Sequence, residues 1–298
     1  MLNAVLAAAV LTAALNADVA SAQSLEHAQR QLSVSMQRDG PVDGFVPFLA
    51  PDVAYLHPNV EIITGRDATR AFLQAAYANV RSPRTTLHGW TTGTSADRRL
   101  GYSFGWLEET SVAAGGSITR SFGRFVAAWR KQEGGWRVHA FLRITSGGPP
   151  DPPPPDALIL DGVAGVPQPG LPAAHALEIA IADSRFADLS IAQGYSLAFP
   201  AYAADAAVLV TAGNAFWNRE GVEIAMAGWV PTQTLSWYPL RSEAAVSGDL
   251  GWSIGHGTFA DESGGTVQRF YSKYLTLWIR TSSGWRWLLD AGNPRPAP

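Results

Sequence analysis

Apolar positions along this chain switch between a helical and a strand-like period, and they do so twice in the same order. In SLEHAQRQLSVSMQRDG, Leu25, Ala28, Leu32 and Met36 recur at helical spacing and Gly40 offers the stop. The apolar-striped segment AAHALEIAIADSRFADLSIAQGYSLAF predicts a helix at the same place in the second half. In FLAPDVAYL and YAADAAVLV, Asp52 and Asp205 are each expected to precede a short strand. GRDATRAFLQAAY and NREGVEIAMAGW then predict helices, the second with Val222, Met226 and Trp229 on one face.

The rest of each half is strand-like, rich in Thr, aromatic and β-branched residues. RTTLHGWTTG, RRLGYSFGWLEET, ITRSFGRFVAAWRK and GWRVHAFLRI are answered by TQTLSWYPLR, GDLGWSIGHGTF, TVQRFYSKYLTLWIR and GWRWLLDAG. Glycine-bearing breaks between the runs suit hairpins, because glycine accepts the positive φ of tight turns. The clearest echo is LGYSFGW at Leu100–Trp106 against LGWSIGH at Leu250–His256. Trp129 answers Trp278, and Gly135-Trp136-Arg137 answers Gly284-Trp285-Arg286. The chain is a tandem repeat, and the doubled phrases are expected to line the same interior twice.

Between the copies lies GGPPDPPPP, Gly147 to Pro155, which can continue neither a helix nor a central strand. It predicts a stiff spacer, and the apolar stretch up to Pro172 should pack across a domain surface. The predicted boundaries are a signal peptide over 1–22, domains over 23–146 and 173–293, a linker over 147–172 and a tail over 294–298. Leu2 to Ala17 is nearly all apolar, and Ala20-Ser21-Ala22 offers a cleavage site before Gln23. That pattern predicts a periplasmic or secreted protein with no stable membrane association after cleavage.

Composition narrows the chemistry. Of 298 residues 47% are hydrophobic and 16% charged, and the net charge is −3, without any clustered Lys or Arg run. A nucleic-acid partner is therefore not expected. The absence of Cys excludes disulfides, thiolate metal sites and a Cys nucleophile. No His pair stands at metal-ligand spacing, so neither metal nor cofactor is expected. Gly251–Gly255, GWSIG, fits the spacing of a serine nucleophile elbow around Ser253. It sits in a predicted strand and repeats GYSFG around Ser103, so it reads as a strand motif.

The order of elements, with APDVAYLHP followed by GRDATRAFL, the Gly135-Trp136-Arg137-Val138 strand start, GYSLAFPAYAADAAVLV and GWRWLL, resembles the SnoaL-like branch of the nuclear-transport-factor-2-like superfamily. The resemblance implies an α+β fold: two tandem cone-shaped domains, each with N-terminal helices on a curved, mostly antiparallel sheet enclosing one pocket. It covers isomerases, cyclases, dehydratases, epoxide hydrolases and binding modules, some exported and of unknown function, and many relatives form homodimers. An intramolecular pseudo-dimer, or a homodimer, is therefore an expectation here.

Catalytic members of this resemblance place an Asp, sometimes with Tyr or His, in an apolar pocket as a base. Asp290 near the end of the last strand is the candidate, and its counterpart in the first copy is Phe141. Simple alternation puts His139 on one face with Arg137, Phe141 and Arg143, opposite Trp136, Val138, Ala140 and Leu142. His139 is the second catalytic candidate. Candidate ligand-binding residues are His57, His88, Trp106, Arg143, Trp217, Trp237, Tyr238, His256 and Trp287. The surplus of Trp217, Trp237, Tyr238 and Trp287 points to a more aromatic second pocket. The leading expectation is binding of a small apolar or aromatic molecule; the alternative is an isomerase, lyase or cyclase with a pocket carboxylate as base.

Overall fold

The computed structural model describes residues 24–154 and 165–298. The expected signal segment and the middle of the linker lie outside the described residues. In the first half, helix α1 (Leu25–Asp43) is followed by a short turn of helix at Val46–Phe48 and strands β1 (Leu49–Leu56) and β2 (Ile63–Thr64). Helix α2 (Arg66–Tyr77) precedes β3 (Arg84–Thr94), β4 (Leu100–Val112), β5 (Ile118–Gln132) and β6 (Gly135–Ser146). The second half has α3 (Pro172–Gln193), α4 (Tyr195–Tyr202), β7 (Ala203–Val210), β8 (Ala215–Trp217) and α5 (Asn218–Met226). It ends with β9 (Gln233–Ala244), β10 (Leu250–Asp261), β11 (Gln268–Thr281) and β12 (Gly284–Pro294).

Each half builds a six-stranded sheet in the same order, β2-β1-β6-β5-β4-β3 and β8-β7-β12-β11-β10-β9. Only the β1–β6 and β7–β12 pairings are parallel. Ser24 caps α1 by accepting the His27 amide at 3.1 Å. The first helices of the two halves break at Gly40 (φ 87°) and Gly194 (φ 88°), a conformation that costs glycine nothing. Each half has a core between its helices and its sheet, built on Leu32, Phe45 and Trp129 in one and on Phe186, Trp278 and Trp287 in the other.

A third core joins them. The outer faces of the two sheets pack on each other, with Tyr102, Phe104, Val126 and Leu142 meeting Trp252, Ile254, Leu275 and Leu289. This seam explains the repeated phrase and corrects its expected meaning. Leu100, Tyr102 and Phe104, like Leu250, Trp252 and Ile254, face the seam rather than a pocket. The intervening Gly and Ser residues face the helices. A Cβ on Gly101 would strike Leu25, and one on Gly251 would strike Ile179. Ser103 and Ser253 each accept an indole hydrogen bond, from Trp129 at 2.9 Å and Trp278 at 2.8 Å.

Strict alternation fails in the last strand of each half. The β5–β6 register shifts between Trp129↔Val138 and Ala128↔Ala140, leaving His139 as an extra residue. In β11–β12 the shift falls between Trp278↔Trp287 and Leu277↔Leu289, leaving Leu288 extra. Each is a β-bulge, which moves later side chains to the other face. His139 is therefore separated from Phe141 and Arg143: it turns to the seam while they enter the first cup. The described end of the linker packs on the second domain, as expected, through Val166 N to Arg280 O at 2.8 Å and Gln168 N to Ser247 O at 2.7 Å.

Candidate functional site

The second cup encloses a cavity of about 270 Å³. Its walls are apolar: Phe186 from α3, Phe199 from α4, Leu209 and Val210 from β7, Met226 from α5, and Leu235 and Trp237 from β9. Thr211 and Ala212 of the β7–β8 turn form part of its rim, and Ser272, Tyr274 and Asp290 supply the polar side chains. The bulge at Leu288 is what aims Asp290 inward. It lets Trp287 and Asp290, three residues apart, share the cup face.

Asp290 pairs with Thr276 across the sheet, and the Thr276 hydroxyl donates to its Oδ2 at 2.6 Å. Burial among apolar walls raises the Asp290 carboxyl to about 7; the Thr276 hydrogen bond opposes the shift, and the charge of Asp183 adds to it. A group poised there accepts and returns protons near neutral pH. Asp183, on α3, is fully buried behind the wall and takes hydrogen bonds from Trp237 Nε1 and the Tyr274 hydroxyl, each at 2.8 Å. Burial raises its pKa, with the hydrogen bonds from Ser253, Tyr274 and Trp237 opposing. Tyr274 is held well above its ordinary value by burial and by Asp183, so its phenol stays protonated.

Sequence reasoning missed Asp183, Tyr274 and Thr276. The available signal was the position of Asp183 on the apolar stripe of α3, between Ile179 and Phe186, where an acid must be partnered. Tyr274 stands four residues before Trp278, the place Phe125 holds before Trp129.

Of the expected ligand-binding residues, Trp237 lines this cavity. Trp287 lies behind the wall, buried, with its indole donating to Phe199 O at 3.2 Å. Trp217 packs into the seam, 5.9 Å from Trp90 and 5.8 Å from Phe104 of the first domain. Tyr238 is exposed and meets His256 Nδ1 at 3.3 Å, while His256 Nε2 lies 3.3 Å from Glu61. His88 stacks on Trp106 at 3.9 Å on the outer face of the first sheet.

The first cup is packed shut. Met36, Phe45, Tyr55, Leu73, Leu107 and Phe141 leave a gap of about 10 Å³, room for one water molecule at most. At its mouth Arg143 grips Glu109 with two hydrogen bonds, at 3.0 and 2.6 Å, and Tyr77 donates to the same carboxylate. Burial alone would raise Glu109, but the Arg143 charge holds it below the usual carboxylate value. His57 stands beside this pair, held at about 4 by burial and by Arg143, and so stays neutral.

His139 lies in the seam, its Nδ1 3.8 Å from Asp52 and 3.7 Å from Glu243. These three could each offer one ligand atom to a cation, a grouping that sequence spacing missed because it comes from three distant strands. Arg241 already pairs with both carboxylates and Arg130 holds Glu243 at 2.7 Å. The set stands as an ion-pair network stitching the domains.

Residues 31–139 match the profile of the SnoaL-like domain. Over those residues the first half is similar to SnoaL-like domains. The second half repeats its sheet order, helix placement and bulge. Among curated proteins, none matches the chain. Solved structures similar to it include Aln2 from a Streptomyces species, at 15% identity, covering 40% of this chain and 86% of that one, with a TM-score of 0.35. Another is a cystatin-like-fold relative of nuclear transport factor 2 from Novosphingobium aromaticivorans, at 15% identity and a TM-score of 0.36, covering 41% and 82%. A ketosteroid isomerase-like protein from Erwinia carotovora atroseptica shares 13% identity over 42% of this chain and 95% of its own, with a TM-score of 0.35.

Proposed function

We propose that the second SnoaL-like cup binds one small, neutral, largely apolar or aromatic molecule and that Asp290 exchanges a proton with it. The observation that carries this reading is a carboxyl at about 7 facing an apolar cavity of about 270 Å³. Apolar walls favour an uncharged guest, and the cavity suits one of roughly bicyclic size. Proton transfer of this kind needs no cofactor. The base takes a proton from a carbon or oxygen acidified by the guest's own carbonyl or ring, then returns it elsewhere on the same molecule.

The test uses β-naphthol as a binding probe and β-tetralone, whose α-protons are acidic, as a reporter of proton abstraction in heavy water. Wild type should bind the first saturably and accelerate exchange in the second, and Asp290→Asn should abolish the acceleration. Titration of Asp290 by carbon NMR to an ordinary aspartate value of about 4 would refute the reading.

The same reading places the protein outside the cytoplasm, on the strength of Leu2–Ala17 and Ala20–Ala22. Sequencing the mature N-terminus checks this, with Gln23 as the expected first residue. It also takes the seam as an intramolecular pseudo-dimer, supported by the buried apolar faces of both sheets. A monomeric mass in solution is the expected result, and a stable dimer would count against it.

A further inference from the structure

Resting on the second cup as the binding site, we infer that the first domain sets the shape of that cup's mouth through Arg124. This residue lies on β5, on the strand face whose neighbours Val126 and Ala128 form the seam. It is 3% exposed, yet its charge reaches no carboxylate within ion-pair distance among the described residues. Instead the guanidinium crosses into the second domain and donates to three consecutive main-chain carbonyls: Thr211 at 3.4 Å, Ala212 at 3.3 Å and Gly213 at 3.2 Å. Two of these residues, Thr211 and Ala212, line the cavity.

The acceptors belong to the exposed β7–β8 turn, closed on itself by Thr211 N to Asn214 O at 2.8 Å. A short glycine-containing turn at a surface samples several positions unless something holds it. A buried cation must find acceptors, and a planar fork aimed at successive carbonyls fixes main chain in place. Arg124 is thus a positioning residue, acting on bound molecules through the turn rather than by contact.

Both halves have this segment tied across the seam, but by different groups. Lys273 holds the equivalent place in the second domain, one residue before Tyr274 as Arg124 is one before Phe125. Its ammonium goes to Pro294 O at 2.8 Å, in its own domain, and that oxygen also accepts the Asn59 amide of the first domain's β1–β2 turn at 2.8 Å. The β1–β2 segment of the first cup is held from across the seam as well, by Asn293 Nδ2 to Leu56 O at 2.9 Å and Arg295 to Glu61 at 3.1 Å. What sets the second cup apart is one buried fork on three successive carbonyls beside a cavity.

The experiment compares wild type, Arg124→Gln, Arg124→Lys and Asp290→Asn in the full chain, with β-naphthol affinity and amide hydrogen exchange as readouts. Arg124→Gln should weaken binding about 3- to 10-fold and speed exchange at residues 212–215, leaving amides of β4 unchanged. Arg124→Lys, which keeps the charge but not the fork, should recover part of both effects and serves alone should Arg124→Gln fail to fold. Wild-type affinity and exchange in both Arg124 variants, while Asp290→Asn still alters binding, would overturn the clamp and leave the cup reading intact. Should wild type bind no β-naphthol, the cup reading fails, and exchange at 212–215 alone decides whether Arg124 holds the turn.

Discussion

Asp290 and Phe141 occupy the same place in the two sheets. Each follows a bulge, each faces the interior of its cup, and each pairs across the sheet with a residue two before the core tryptophan, Thr276 or Ala127. Where the second cup has a carboxyl over a cavity, the first has a ring stacked 5.8 Å from Phe125 and edge-on to Phe45 at 4.9 Å. The substitution of Tyr274 by Phe125 completes the exchange of a polar interior for a filled one.

Holding Asp290 at about 7 costs stability when the group is ionised. Its folded value lies above its unfolded value, so the folded state binds the extra proton. Stability from this group is full below pH 4 and is lost as pH rises towards 7. Asp290→Asn should therefore stabilise the protein at pH 8 by up to about 4 kcal/mol and change little at pH 4. Urea unfolding of both proteins at the two pH values measures this.

Thr276 donates the hydrogen bond that restrains the Asp290 shift. Thr276→Val keeps the shape and removes the donor, so the Asp290 carboxyl should titrate about 1 unit higher. The acid limb expected for proton exchange, where protonation silences the base, should move with it. An unchanged titration by carbon NMR would show that the hydroxyl does not act on the carboxyl.

The seam network should give way in acid. Burial pushes the Glu243 carboxyl up, but His139, Arg130 and Arg241 outweigh it and hold the group at about 2. Its stabilising contribution is present above the unfolded value and disappears as pH falls towards 2. Glu243→Gln should cost about 3 kcal/mol at pH 6, and the difference from wild type should vanish near pH 2. A stability-against-pH curve for the pair of proteins reads this directly.

Gly105 and Gly255 close the repeated phrase, and a Cβ on either would collide with main-chain oxygen of the adjacent strand, at His88 and Tyr238. Backbone cannot move aside as a flexible side chain can. Gly105→Ala and Gly255→Ala should each destabilise by about 2 kcal/mol, measured by thermal unfolding.

The order of elements and the duplicated plan were legible because alternation, glycine turns and tryptophan positions survive in both copies. The bulge was not, since one inserted residue leaves no mark in composition, and His139 was placed on the wrong face for that reason. Trp217 went to the seam rather than the pocket for a different cause. Both faces of the central strands are apolar, as the runs FVAAW and LTLW record, and that is the trace of a sheet covered on both sides. Asp183 stayed hidden because an acid's partners on distant strands cannot be read from its neighbours.

Because Phe141 and its neighbours fill the first cup, the proposed site occurs in one cup alone among the described residues. Titration should saturate at one equivalent of guest per chain and follow a simple hyperbola, with no homotropic cooperativity between the halves.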